Sequence, residues 1–303
     1  MLLNLFFSLM FILFLLLLVA FLVLFERNIL GLDQSRKGPN ISGYFGILQT
    51  ILDGVKLLMK EYFINPSMRI LFFILSPLFG FFLSIMNWLF IAVVFSIMAY
   101  ESTVIFTLFI GSIMVYCVVW AGWGSNNTYS TIGAIRAVAQ MISYEVVMGF
   151  FILLMIMSFG TFSWSMFHFL NFGGMNFFLF FFLFFFWFCV ILAELNRTPF
   201  DLVEGESELV GGFNVEYSGS GFTLLFLSEY VNIWFMGTLT VLMFFYSFSV
   251  FMMSFMLVIS FVSFIIHIRS LLPRFKYFDL IFLTWKIMLP IVTMIFIFFI
   301  LFI

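Results

Sequence analysis

The chain has 303 residues, of which 65% are apolar and only 9% are charged, and its mean hydropathy is +1.26. Soluble domains carry about a quarter charged residues, so this composition excludes a soluble globular protein and predicts an integral membrane protein. The formal net charge of −2 identifies no partner by itself, and nothing in the sequence predicts binding to nucleic acid.

Apolar windows long enough to cross about 30 Å of hydrocarbon recur along the chain and predict eight transmembrane helices. They lie at roughly 2–25, 69–90, 98–120, 139–160, 175–194, 222–245, 248–268 and 286–303. The first is expected to be a permanent span, because it lacks the positive n-region and the small-residue cleavage site of a secretory signal. We therefore expect an all-α, polytopic fold in which residues 1–303 form a single membrane domain.

The connection at 26–68 is too polar to cross a membrane, yet part of it has a helical apolar pattern. The apolar residues recur at Ile47, Ile51, Val55, Leu58 and Met59. This spacing predicts an amphipathic helix that lies at the membrane interface.

The twelve Lys and Arg residues fall in alternate connections or at their edges. These connections are residues 26–68, 121–138, 195–221 and 269–285. The positive-inside rule then places all four on the inner face and both termini outside. The same segregation supports a count of eight spans, since a different count would mix the two sides.

The sequence predicts no redox centre, metal site or catalytic residue of its own. His168 and His267 fall on opposite predicted sides, which argues against a paired-histidine haem. Cys117 and Cys189 are isolated in apolar spans, where we expect small buried hydrophobes rather than cluster ligands. Nucleotide-binding GxGxxG and GxxxxGK[ST] motifs and the zinc motif HExxH do not occur.

Four glutamates fall within or at the end of predicted spans: Glu101, Glu145, Glu194 and Glu229. An ionised carboxylate at mid-bilayer costs about 2.5–3.5 kcal/mol even on the gentler insertion scales. Helix packing could account for any one of them. Four in successive spans favour a proton or ion relay, whose members carry a proton much of the time.

The segment ELNRTPFDLVEGESE, residues 194–208, follows the fifth apolar span and is rich in acid. A solvated surface loop is one explanation. The alternation of Glu with Gly and Ser, and Arg197 as an available counter-charge, favour a polar vestibule that leads to the intramembrane glutamates.

Long strings of this sequence closely resemble one family, NADH–ubiquinone oxidoreductase chain 1, the quinone-site membrane subunit of respiratory complex I. They are FERNILGLDQSRKGPN (25–40), DGVKLLMKE (53–61), GWGSNNTYSTIGAIRAVAQMISYEV (122–146), ELNRTPFDLVEGESELVGGFNVEY (194–217) and RSLLPRFKYFDL (269–280). Asn28 departs from the family, which commonly has Lys there. The form resembled is mitochondrial.

The resemblance implies a core subunit of the proton-pumping NADH:ubiquinone reductase in the mitochondrial inner membrane. The charged connections would face the matrix and both termini the intermembrane space. Ubiquinone would be the substrate, while NADH, flavin and iron–sulfur clusters would be bound by other subunits. Expected partners are the quinone-module subunits of the peripheral arm, the antiporter-like membrane subunits, and lipids.

The resemblance also implies two groups of functional residues. The quinone tunnel and inner face would involve Arg27, Arg36, Asp53, Glu204, Glu206 and Arg274. The proton relay would involve Glu145, Glu194 and Glu229, joined by Glu101, for which the intramembrane position is the main argument.

Two alternative functions remain open on the sequence. The chain could be the membrane subunit of a related energy-converting hydrogenase, although its mitochondrial-looking composition argues against this. It could also be a free-standing ion transporter, which would be purified alone rather than within a large assembly.

Overall fold

The computed structural model describes residues 2–61, 65–91, 102–164, 167, 181–201, 212–245 and 251–302. Across these ranges the chain is helical and contains no strand, which confirms the predicted all-α class. The helices are α1 (Leu2–Asp33), α2 (Gln49–Met59), α3 (Ile70–Ile91), α4 (Thr103–Gly124), α5 (Thr128–Phe159), α6 (Phe181–Glu194), α7 (Gly219–Thr240), α8 (Phe251–Leu271), α9 (Tyr277–Phe282) and α10 (Leu289–Phe302). π-Helical turns at Val241–Phe245 and Leu283–Met288 extend α7 and join α9 to α10.

Seven of the described helices are long and apolar enough to cross a membrane, which confirms a polytopic membrane fold. They are α1, α3, α4, α5, α7, α8 and the continuous helix formed by α9 and α10. The remaining apolar helix, α6, has 14 residues, and residues 168–180 before it lie outside the described ranges. The eighth crossing, predicted at 175–194, therefore stays a prediction.

Several helices extend beyond the predicted spans. α1 continues to Asp33, α5 begins at Thr128, and the last helix begins at Tyr277. Hydropathy windows end where polar residues begin, but the polar residue Ser130, in the part of α5 before the predicted span, is fully buried against the rest of the bundle. Much of the predicted connection at 121–138 is thus the first part of α5.

The start of α5 is set by a local capping interaction. The Asn127 side-chain oxygen accepts a hydrogen bond from the backbone N–H of Tyr129 at 3.3 Å. An asparagine at this position satisfies one of the backbone N–H groups that the first turn leaves free.

α2 confirms the predicted amphipathic helix. No residue of α2 is buried, and Ile51, Val55 and Leu58 are between 46% and 63% exposed on its apolar face. Its polar face carries Asp53, which bonds to Arg27 of α1. A helix with an exposed apolar face and a polar face directed at the protein suits an interfacial position.

The bundle is built around α5 and α7. α5 packs on α4 and α6, while α7 packs on α3, α1 and α8. Large side chains fill the contact region: Tyr144, Phe151, Trp187 and Phe244 are each at most 1% exposed. Polar residues lie beyond this core at one end of the bundle, where they form hydrogen bonds and ion pairs with one another.

The four predicted inner connections meet at one end of the bundle. Contacts between them join Asn126 to the Ser67 carbonyl, Asn127 to Glu216, and Arg274 to Asp201, and the Arg27–Asp53 pair lies within the first of them. Glycines allow the closest approach: a Cβ at Gly133 would lie 2.8 Å from the Cα of Gly212. We call this region the charged end.

Candidate functional site

Glu26, near the end of α1, is the centre of a buried ion cluster at the charged end. It is 4% exposed, and its Oε1 accepts hydrogen bonds from Arg197 at 2.8 Å and from Arg269. Its Oε2 accepts one from the hydroxyl of Tyr230 at 2.5 Å. A buried carboxylate is tolerated only when it is paired and hydrogen-bonded, so this cluster holds α1, α7, α8 and the connection after α6 together.

Arg197 is also almost enclosed. Burial by itself lowers the pKa of its guanidinium, but the charge of Glu26 raises it, and the net pKa lies above the ordinary arginine value. The guanidinium carbon lies 4.8 Å from the centre of the Tyr230 ring, a cation–π distance. Arg197 was predicted from the sequence to be a counter-charge, but no sequence pattern indicated that Tyr230 and Arg269 would bond to the same carboxylate, Glu26.

Arg27 and Asp53 form the pair that ties α2 to α1. Arg27 Nη1 lies 2.5 Å from Asp53 Oδ2, and Gln49 of α2 donates to Asp53 Oδ1 at 2.9 Å. Their side chains are 45% and 32% exposed, so the pair orients the helix more than it stabilises the fold.

Arg36 lies apart from this pair. Its side chain is exposed and donates to the nearby Gln34 at 2.9 Å. The structure therefore does not bring it into contact with Arg27 or Asp53.

Arg274 joins the connection after α8 to the connection after α6. Its guanidinium lies 3.3 Å from Asp201, which is 6% exposed. Next to it, the Phe275 N–H donates to the Pro199 carbonyl at 2.9 Å, and the Phe275 ring stacks on Phe200 with centroids 5.5 Å apart. These contacts hold residues 199–201, just before the Glu-rich stretch, against the connection after α8.

The end of α6 explains the position of Glu194. The Arg197 N–H donates to the Leu192 carbonyl and the Asn196 N–H to the Ala193 carbonyl, while Asn196 has a φ of 50°. This is the Schellman pattern, in which a left-handed residue, usually Gly and sometimes Asn, closes a helix. Glu194 therefore lies at the last turn of α6 and points away from the reversing chain into the bundle, where it lines two cavities.

The structure brings together three of the four predicted relay glutamates. Glu145 of α5 and Glu194 are close enough to interact electrostatically, and a Cβ at Gly111 of α4 would lie 3.8 Å from Glu145 Oε1. Glu229 of α7 lines one of the cavities that Glu194 lines. Glu101 lies outside the described residues, as do Glu204 and Glu206 of the predicted tunnel.

The two cavities lie inside the helix bundle, and the centres of water-sized molecules can occupy about 40 and 80 Å³ within them. Both are lined by Met114, Glu194, Leu195 and Asn232. Within the described residues, the buried Oε2 of Glu194 and Oδ1 of Asn232 and Asn87 have no hydrogen-bond partner. Water occupies sites that are roomy and offer two to four polar partners, so these cavities suit ordered water.

The described ranges contain no group of three or more His, Cys, Asp or Glu side chains arranged to hold a metal ion. His267, near the end of α8, contacts Asp33 through Nδ1 at 3.1 Å, and Ser270 donates to the same carboxylate at 2.7 Å. This histidine therefore contributes to the contact between α1 and α8.

Comparison with known proteins gives a consistent result. A family model described as NADH dehydrogenase matches residues 7–300. The chain is 44% identical over 273 residues to NADH-ubiquinone oxidoreductase chain 1 of Anopheles gambiae, covering 90% of this chain and 87% of that protein. It is 44% identical over 294 residues to the protein of the same name from Lampetra fluviatilis, covering 93% and 90%. A match over nearly the whole length at this identity means that the chain belongs to the NADH dehydrogenase family of membrane subunits.

Proposed function

We propose that this chain forms much of the ubiquinone tunnel of an NADH–ubiquinone oxidoreductase and links quinone reduction to proton translocation through buried carboxylates. The family places it as a membrane subunit of that enzyme complex, and the names of its relatives imply the mitochondrial inner membrane. These names also favour this complex over an energy-converting hydrogenase or a free-standing transporter.

One observation carries the relay proposal. Glu145, Glu194 and Glu229 come from three different helices: Glu194 lines both cavities, Glu229 lines one of them, and Glu145 is close enough to Glu194 to interact with it electrostatically. Buried carboxylates beside space that can hold water are the elements that proton transfer through a membrane requires. Glu101 is proposed as a further member.

The charged end is proposed as the entrance and floor of the tunnel. The pairs Arg27–Asp53 and Arg274–Asp201 lie there, so the resembled family's tunnel residues share one end of the bundle with the relay. Arg36, Glu204 and Glu206 are proposed for the same surface on the resemblance alone.

The charged end is proposed to face the matrix. The C-terminus of α1 and the N-terminus of the last helix both lie at the charged end. The two chain termini would therefore lie on the intermembrane-space side. The gathering of the basic residues at this end supports this orientation under the positive-inside rule.

In this proposal, electron transfer takes place in other subunits of the complex. NADH, flavin and iron–sulfur clusters would be bound in partners, and electrons would reach ubiquinone from the peripheral arm. This chain would shape the quinone channel and pass charge towards the antiporter-like membrane subunits.

The test uses the variants Glu145→Gln and Glu194→Gln in the assembled complex. Each keeps the shape of the side chain but removes the titrating group, so quinone-dependent turnover or its proton pumping should fall on the order of a hundredfold. NADH oxidation by an artificial acceptor at the flavin should stay normal. The exposed carboxylate Glu61, changed to Gln, is the matched control. Normal turnover and pumping in both relay variants would refute the relay.

A further inference from the structure

A single side chain from another helix holds the turn that follows α6. Gln140 of α5 is fully buried, and its Nε2 donates to the carbonyl of Ala193 at 3.0 Å and to the carbonyl of Phe200 at 2.9 Å. These carbonyls lie at the two ends of the turn 193–200. One amide group therefore uses both of its N–H groups to close the turn across its base.

The residues next to the two carbonyls are those of the proposed site. Ala193 directly precedes Glu194, which lines both cavities, and Phe200 directly precedes Asp201, which pairs with Arg274. Gln140 thus links the backbone just before Glu194 to the backbone just before Asp201.

We propose that Gln140 is a positioning residue that keeps the Glu194 carboxylate in place between the two cavities. This inference rests on the proposed relay function of Glu194. The Ala193 carbonyl also accepts the Asn196 N–H, so loss of the Gln140 amide affects the Phe200 carbonyl most, and leaving a buried polar group unpaired is destabilising. Without the amide, the Phe200 carbonyl must turn towards another donor, and the end of α6 is released from α5.

The decisive variant is Gln140→Met in the assembled complex, because Met has a similar length and volume but no N–H donor. We expect kcat with a short-chain quinone to fall roughly tenfold or more, since small misplacements of a reacting group are costly. KM should change by less than about twofold, because the quinone site itself is untouched. The solvent isotope effect in D₂O should rise, because a displaced Glu194 slows proton transfer.

Two further variants complete the design. Gln140→Asn keeps an amide on a shorter side chain that reaches one carbonyl, so its kcat should lie between wild type and Gln140→Met. Ser143→Ala, one turn further along α5, removes a buried hydrogen bond to the Gln140 carbonyl without touching the turn, and should keep normal kinetics. All rates are expressed per flavin, so that a change in the amount of assembled complex does not enter.

The outcomes separate this inference from the function on which it rests. A normal kcat and isotope effect in Gln140→Met, with Glu194→Gln impaired, would overturn the positioning role alone. Normal behaviour of both variants would overturn the relay as well. Less assembled complex with unchanged kinetics per flavin would show that Gln140 serves the fold only, and would also overturn the proposal.

Discussion

Glu26 and Arg197 meet at 2.8 Å although 171 positions separate them in the chain. Their contact brings the end of the first helix to the connection after α6, and Arg269 and Tyr230 complete the surroundings of the same carboxylate. The cluster lies at the charged end, beside the connections that are proposed to form the tunnel. Its main effect is therefore to fix the relative positions of helices that are distant in sequence.

Removing the carboxylate charge should destabilise the protein strongly. Glu26→Gln removes the buried carboxylate charge to which both Arg197 and Arg269 bond, and breaking a buried pair costs about 3–5 kcal/mol. We expect a lower thermal transition of the purified complex and less complex on native gels. Glu61→Gln, a change to an exposed carboxylate, should leave both unchanged. A Glu26→Gln complex as heat-stable as wild type would refute this role.

The Arg27–Asp53 pair should affect quinone access rather than stability. Both side chains are partly exposed, and such pairs contribute about 1 kcal/mol or less to stability. Because the pair orients α2 at the proposed tunnel entrance, Arg27→Gln and Asp53→Asn should each raise KM for quinone severalfold with little change in kcat. The double variant should be no worse than either single one. Additive effects, or a fall in kcat at constant KM, would contradict a shared orienting role.

Removing a polar group that lines both cavities should impair proton-coupled turnover. Asn232 lines both, and its Oδ1 has no partner within the described residues. Asn232→Leu keeps a similar volume but removes polar partners for water, so proton-coupled turnover should fall roughly tenfold or more. Asn232→Ser keeps a polar group and adds space, and should retain most of the turnover. Equal turnover in the two variants would show that water in these cavities is not needed.

The close approach of α5 to residues 212–214 should not tolerate a methyl group. A Cβ at Gly133 would lie 2.8 Å from Gly212 Cα and 3.1 Å from the Phe213 backbone nitrogen, and backbone atoms cannot move aside cheaply. Gly133→Ala should therefore reduce the amount of assembled complex. At Gly149 in the same helix, an added Cβ would have no other described residue within 4 Å apart from the helix's own backbone, so Gly149→Ala should assemble normally. The yield of complex on native gels compares the two directly.

The sequence predicted the helices and the class of protein well, because apolar windows and helical spacing are local properties. It predicted the helix ends poorly: α5 begins at Thr128, well before its predicted span, and includes the fully buried polar residue Ser130. A hydropathy window cannot distinguish a polar residue in water from one that is satisfied inside a bundle.

The candidate site was predicted in part. The intramembrane glutamates were found from their position in apolar spans, and Glu145, Glu194 and Glu229 do come together. The partners of Glu26 could not be inferred, because no local pattern links Tyr230 or Arg269 to a carboxylate near the end of α1. Contacts of this kind depend on how helices pack, which a single sequence does not encode in any short segment.

The position of Glu26 has a consequence for the order in which the protein is made. Its carboxylate is synthesised early, whereas its partners Arg197, Tyr230 and Arg269 follow much later, and the last of them belongs to α8. A chain emerging from the ribosome carries this acid without these partners until residue 197 has been synthesised. The full set of bonds to the Glu26 carboxylate can therefore form only after α8 has been synthesised, so a chain interrupted before Arg269 would hold its first helix less firmly.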